Sequence, residues 1–151
     1  MHVPAKVDYA IRAMLELADA HPMRLSREEL ARRQNMPPRY LEAILRELAN
    51  SGLVAGHRGV SGGYELSRAA SEITIADVSR AVDGPLALVG HLRPDQVTYE
   101  GTAQHLGELW VGLRAAIRSV MEHVTLAELL DGTLPPSIRM MVEDADAWLA
   151  R

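Results

Sequence analysis

The chain has 151 residues, 48% of them apolar and 24% charged, with four Tyr, two Trp, no Phe and no Cys. That size suits one compact domain with an appended helical element, and the missing thiols exclude a disulfide framework, a thiolate zinc finger, a cysteine nucleophile and an iron–sulfur cluster held by the chain's own cysteines. The net charge of −4 looks wrong for a nucleic-acid binder until it is divided: residues 1–68 hold 10 Lys and Arg against 8 Asp and Glu, whereas residues 69–151 hold 6 against 12.

Apolar residues at Val7, Ala10, Ile11, Met14, Leu17 and Ala18 keep the rhythm of an amphipathic helix. It is predicted from residue 4 to about residue 20, ended by His21-Pro22. Ser26 with Glu29 three residues on predicts a reciprocal capping box for a short helix over residues 27–34. Asn35-Met36-Pro37-Pro38 is a break, because the residue before a proline is pushed out of the helical region. The next helix is predicted over residues 38–51, with Leu41, Ile44, Leu45 and Leu48 on one face and Gly52 just past its end. Leu53-Val54 opens an extended stretch, residues 56–63 form a glycine-rich turn and Tyr64-Glu65-Leu66 returns, which makes a small β-hairpin.

Thr74 and Asp77 cap a further helix to about residue 82, where Asp83-Gly84-Pro85 stops it. Residues 86–98 have no period and read as a loop. Leu106, Leu109, Trp110, Leu113, Ile117, Val120, Met121 and Val124 then form one apolar stripe. A helix so long after a complete small domain is expected to bury that stripe against a partner. A short helix over residues 125–130, closed by Asp131-Gly132, and a helical tail over residues 136–150 complete the pattern. The expected organisation is residues 1–84 as a DNA-binding unit, 85–101 as a linking loop, 102–131 as the dimerisation helix and its short successor, and 132–151 as the tail.

A short helix, a break, a longer helix and a glycine-rich hairpin follow the order of a winged helix-turn-helix, so the expected fold is mainly α with a small β-hairpin. In that arrangement the second helix enters the DNA major groove and the hairpin reaches phosphates or the adjacent minor groove. Arg39 and Arg46 are seven residues apart and share the face opposite the buried leucines, with Glu42 and Ala43 between them. A guanidinium donates bidentately to guanine, Glu42 accepts from cytosine, and Arg58 at the hairpin tip suits the negative potential of a narrow minor groove. Ser26, Arg32 and Arg33 of the first helix and His57 and Gly59 of the wing complete the expected DNA-contacting set, the arginines as phosphate contacts.

The run Arg39-Tyr40-Leu41-Glu42-Ala43-Ile44-Leu45, with Gly52-Leu53-Val54, His57-Arg58-Gly59, Gly62-Gly63-Tyr64-Glu65-Leu66-Ser67-Arg68, Ile73-Thr74-Ile75 and the opening Tyr9-Ala10-Ile11-Arg12-Ala13, resembles the IscR/NsrR-type (Rrf-two) family of bacterial transcription regulators. The resemblance spans residues 1 to about 124. It implies a homodimer on a palindromic double-stranded DNA operator, expected to act as a repressor, with the long helix over residues 102–123 as the dimer element. It places base and groove contacts on Arg39, Tyr40, Glu42 and Arg58. Members that sense iron, nitric oxide or redox state hold an iron–sulfur cluster with cysteines in the loop before that helix. Residues 83–101 contain none, so no cofactor is expected.

Two other readings stay open from the sequence. The module could signal through a protein partner, or sense a metal or small molecule between the first helix, the loop over residues 86–98 and the dimer helix, with Asp8, His91 and His105 as candidate metal ligands. No GxGxxG, GxxxxGK[ST], HExxH or GxSxG pattern occurs, so an enzyme is not expected. Without an apolar run of about 18 residues or a leader-like segment, no membrane association and a cytoplasmic location are expected.

Overall fold

A computed structural model describes residues 2–149. Helix α1 (Ala5–Ala20) buries Val7, Ala10, Met14 and Leu17 of the predicted stripe, together with Ala13 and Ala20, while Ile11 and Ala18 are half-buried. It is the central strut, contacting α2 (Arg27–Gln34), α3 (Pro38–Asn50) and α4 (Ile75–Asp83). Helix α3 turns Leu41, Ile44, Leu45 and Leu48 inward, all fully buried, and each such side chain contributes about 1.5–3 kcal/mol of transfer free energy. Strands β1 (Val54–His57) and β2 (Gly63–Leu66) pair antiparallel, with Val54 opposite Leu66 and His57 opposite Gly63. The strands therefore reach further than expected: Gly56, His57 and Gly63 are ladder residues, and the turn is left with residues 58–62.

Ser26 caps α2 by accepting the Glu29 N–H, but the reciprocal half of the predicted box is not made. The Glu29 carboxylate turns instead to Arg32 and Arg33, since two guanidiniums outcompete one backbone amide. Thr74 and Asp77 do form a complete box at the start of α4, as do Thr125 and Glu128 at α6 (Leu126–Asp131), whose designation follows α5 (Leu106–Met121). Thr74→Ala is expected to cost about 1 kcal/mol, lowering Tm by about 2–4 °C in a chain of this size, as thermal unfolding followed by circular dichroism will report.

The segment after α5 folds back on the first half. The Ile75 N–H donates to the Val124 carbonyl at 2.9 Å and the Leu126 N–H to the Ile73 carbonyl at 3.0 Å. Val124 and Leu126, with Ile138 of α7 (Pro136–Glu143), join the same core as α1, α3 and α4. This corrects the assignment of Val124 to a dimer seam: it is 4% exposed inside its own chain, three residues beyond the end of α5. Val120 and Met121 also pack against this core. Residues of the expected dimer arm and tail thus pack into the same core as the first four helices.

The long helix expected to carry dimerisation is shorter than predicted. A 3-10 turn over Gly101–Ala103 precedes α5, so the regular helix starts at Leu106 and stops at Met121. The tail is likewise broken: α7 ends at Glu143, and a separate 3-10 turn over Ala145–Trp148 follows, with the Asp144 side chain accepting the Asp146 N–H. The end of the predicted tail at residue 150 lies outside the described residues. The loop over residues 86–98 contains a bridge between Val89 and Leu92 and a 3-10 turn over Pro94–Gln96. None of the described helices is long and apolar enough to cross a membrane.

Candidate nucleic-acid interface

Burying the leucine stripe of α3 leaves Arg39, Tyr40, Glu42 and Arg46 exposed on its other side, with Ala43 half-buried between them. Tyr40 is held from behind: its ring meets Tyr9 of α1 edge-on with centroids 5.6 Å apart, and the Arg12 guanidinium lies 5.4 Å from the Tyr9 centroid. Glu42 is tied across to α2, where Arg27 Nη1 donates to its Oε2 at 2.7 Å. Arg27 also pairs with Glu28, so one guanidinium at the first position of α2 links the turn to the outer face of α3.

The wing is fixed to the same side by backbone. The Leu25 N–H donates to the Tyr64 carbonyl at 3.1 Å and the Tyr64 N–H to the Leu25 carbonyl at 2.8 Å, so the residue before the α2 cap acts as a third, one-residue strand on β2. That approach requires Gly63, which has φ +136 and whose place a Cβ could take only at 2.8 Å from the Leu25 carbonyl oxygen. Arg24 adds a side-chain link to Glu65, which also lies 2.6 Å from His57 Nε2. These partners, Arg24 foremost, hold the Glu65 carboxyl below the ordinary carboxylate range. His57 thus stands in the strand facing Glu65, and the tip is Arg58, Gly59 and Val60, all exposed. A cleft of about 370 Å³ runs between Ser26 and Arg27 on one side and His57, Gly59 and Val60 on the other.

Most cations of the chain are already neutralised. Among the described residues, the arginines with no hydrogen-bond or ion-pair partner are Arg39, Arg46, Arg58 and Arg68, all in the basic half. Three of these four are the arginines predicted for base or groove contact. Arg68, just after β2, escaped the sequence reading, as did Arg27 and the fully exposed Val60; an apolar residue at a loop tip was the one available signal for the last.

Arg32 and Arg33 are exposed as expected but share Glu29, and Arg33 also reaches Glu16 at 3.2 Å, so their charge is partly offset. Hydrogen bonds from Arg32 and then Arg33 pull the Glu29 carboxyl from 4.5 to about 2. A carboxyl lowered by folding stabilises the native state above its unfolded value and loses that contribution as pH falls through the folded one. Acid unfolding of the parent is therefore expected to steepen between pH 4.5 and about 2 relative to Glu29→Gln, which has no proton to take up there; parallel acid titrations of the two proteins check this.

The candidate metal ligands do not converge. Asp8 pairs with Arg12 on the same helix, His91 is exposed on its loop, and His105 lies 3.8 Å from Glu108 one turn on. No cluster of three or more His, Asp or Glu poised for a metal ion occurs among the described residues. An iron–sulfur cluster does not fit this loop, since its iron is held chiefly by thiolates and the chain has none.

Over residues 3–132 the chain matches the Rrf2 family, described as iron-dependent transcriptional regulators. It is 43% identical over 145 residues to Rv1287 of Mycobacterium tuberculosis (strain H37Rv), provisionally named an HTH-type transcriptional regulator, covering 95% of this chain and 90% of that protein. The HTH-type transcriptional regulator CymR of Bacillus subtilis is 32% identical over 136 residues, covering 88% of this chain and 92% of its own. The solved structure of B. subtilis CymR, titled the global cysteine regulator, superposes with a TM-score of 0.74 at 33% identity over 88% of this chain and 98% of that one. The T. potens IscR structure superposes with a TM-score of 0.72 at 25% identity, over 100% and 93%. The relatives are named as transcriptional regulators, and the solved ones share this chain's fold over most of its length. By matched length, identity and fold, the chain belongs to the Rrf2 family of winged-helix DNA-binding transcriptional regulators, as a member without the cysteines that would hold a cluster.

Proposed function

We propose that this regulator represses transcription as a homodimer on a palindromic operator, with residues 1–84 as its DNA-binding unit. The observation that carries the reading is the set of unpaired guanidiniums: Arg39 and Arg46 on the outer face of α3 and Arg58 at the tip of a wing tied to α2 by the Leu25–Tyr64 bridge. Arg39, Tyr40, Glu42, Ala43 and Arg46 read the major groove, and Arg58 with Gly59 enters the minor groove. Ser26, Arg32 and Arg33 face the phosphates, and His57 supports the wing through Glu65. Leu106, Leu109, Trp110, Leu113 and Ile117, with the outer edges of Val120 and Met121, form the contact with the second copy.

Two recognition helices related by a twofold axis sit about one DNA turn apart, near 34–36 Å. Selection of bound sequences from a random DNA pool tests this directly. The expected product is an inverted repeat whose half-site centres lie about 10 base pairs apart or a multiple of that. A single asymmetric site, or no enrichment together with salt-independent passage over heparin, sinks the reading and favours a protein partner instead. Repression is tested by placing the selected site over a reporter promoter, where deletion of the regulator should raise expression.

A further inference from the structure

Between α1, the end of α4 with the turn after it, and the second half of α5 lies a cavity of about 600 Å³, within the usual range for small-ligand sites. Its walls are apolar: Val7, Leu86, Ile117, Val120 and Met121. It is separate from the loop around His91 and His105. Two polar residues, Ser79 and Asp83, stand on its wall. Ser79 is 5% exposed and its hydroxyl makes no hydrogen bond among the described residues. Lining the cavity and not sealed off from it, that hydroxyl is open to a ligand atom as its partner.

Asp83 is the second. It is the last residue of α4, lines the cavity and has no ion-pair partner among the described residues. Asp83 is exposed at the edge of the cavity, where water solvates it, and at the negative end of the helix dipole a cation is its favoured neighbour. No Lys or Arg lines the cavity, and His2 is the other ionisable group on its wall. An apolar chamber with a free hydroxyl and a carboxylate at a helix C-terminus matches an ammonium group on an apolar body.

We propose that this cavity is an effector site for a small apolar amine. Because α1 and α4 belong to the DNA-binding side and α5 to the dimer arm, an occupant sets the angle between them and with it the spacing of the two recognition helices. That regulatory part rests on the dimeric repressor reading; the binding part does not.

The test titrates the full-length protein by calorimetry with three molecules of equal bulk: phenylbutylamine, phenylbutanol and phenylbutyrate. The amine is expected to bind at one site per chain, with the alcohol weaker and the acid weakest. Asp83→Asn should lower amine affinity at least about tenfold, the loss of one charge-assisted hydrogen bond, while leaving the alcohol unchanged. Ala116→Phe, which fills the chamber from α5, should abolish binding of all three. No binding by any of them, or equal binding by all that ignores Asp83→Asn, overturns the site. Saturating amine should also shift operator affinity by about 5- to 150-fold, the ordinary range of allosteric coupling. Amine binding that leaves operator affinity unmoved overturns the effector role, whereas a protein that selects no DNA sequence at all fails the repressor reading and leaves the calorimetry to decide the cavity.

Discussion

Replacing Arg58 by Ala is expected to weaken operator binding by about 5- to 150-fold, equivalent to about 1–3 kcal/mol, because the proposed reading puts its guanidinium in the minor groove at the tip of a preorganised wing. Leu25 and Tyr64 exchange both backbone hydrogen bonds, Gly63 permits that approach, and Arg24 and His57 hold Glu65 from either side. The strands are therefore fixed before DNA arrives, and little ordering entropy opposes insertion of the tip. Arg58→Lys keeps the charge and should recover part of the loss, since an ammonium is a more strongly hydrated point charge without the planar fork. Arg33→Ala is the contrasting control. Its cation is already shared with Glu29 and Glu16, so it should cost less and act equally on all sequences. Fluorescence anisotropy with the selected operator across a salt series measures all three; an Arg58→Ala protein that binds as tightly as the parent would falsify the wing assignment.

The elements that carry this site are legible in the sequence because each is dictated by a local rule. The stripe Leu41, Ile44, Leu45 and Leu48 forces Arg39 and Arg46 outward by geometry alone, and four glycines between two short apolar runs leave few options besides a hairpin. Most of what escapes is decided between segments distant in sequence. One miss is local: Ser26 and Glu29 have the spacing of a reciprocal cap, but Arg32 and Arg33, three and four residues on, compete for the same carboxylate, and spacing alone does not rank the two claims. Leu25 carries no signal that it will pair with Tyr64 some forty residues away, and Arg27 none that it will reach Glu42. The apolar period also runs unbroken from Leu106 to Val124, because a residue serving the chain's own core and one awaiting a partner look alike in a pattern. Backbone hydrogen bonds from Ile75 N–H to the Val124 carbonyl and from Leu126 N–H to the Ile73 carbonyl separate them, and only tertiary structure contains those.

Helix α5 sets up the other large effect. None of its 16 residues is fully buried, and Leu109 and Val111 are 61% and 48% exposed. A helix with an apolar stripe and no fully buried position is marginal alone in water, so most of its stability must come from a surface packed against that stripe. Leu109 and Leu113 lie one turn apart on it, clear of Val120 and Met121, which serve the chain's own core. The double substitution Leu109→Glu with Leu113→Glu is therefore expected to turn a dimer into a folded monomer, with the buried core and the wing intact. Each half-site would then bind independently, and loss of the linked second contact should lower affinity for the full palindrome by about 10²–10⁴-fold. Ala115→Glu, on the opposite side of α5 by helical spacing, should leave both assembly and binding near the parent. Sedimentation velocity gives the mass and anisotropy the affinity. A double variant that still sediments as a dimer moves the interface off α5, and one that becomes monomeric yet grips the palindrome undiminished shows that recognition never needed the pair.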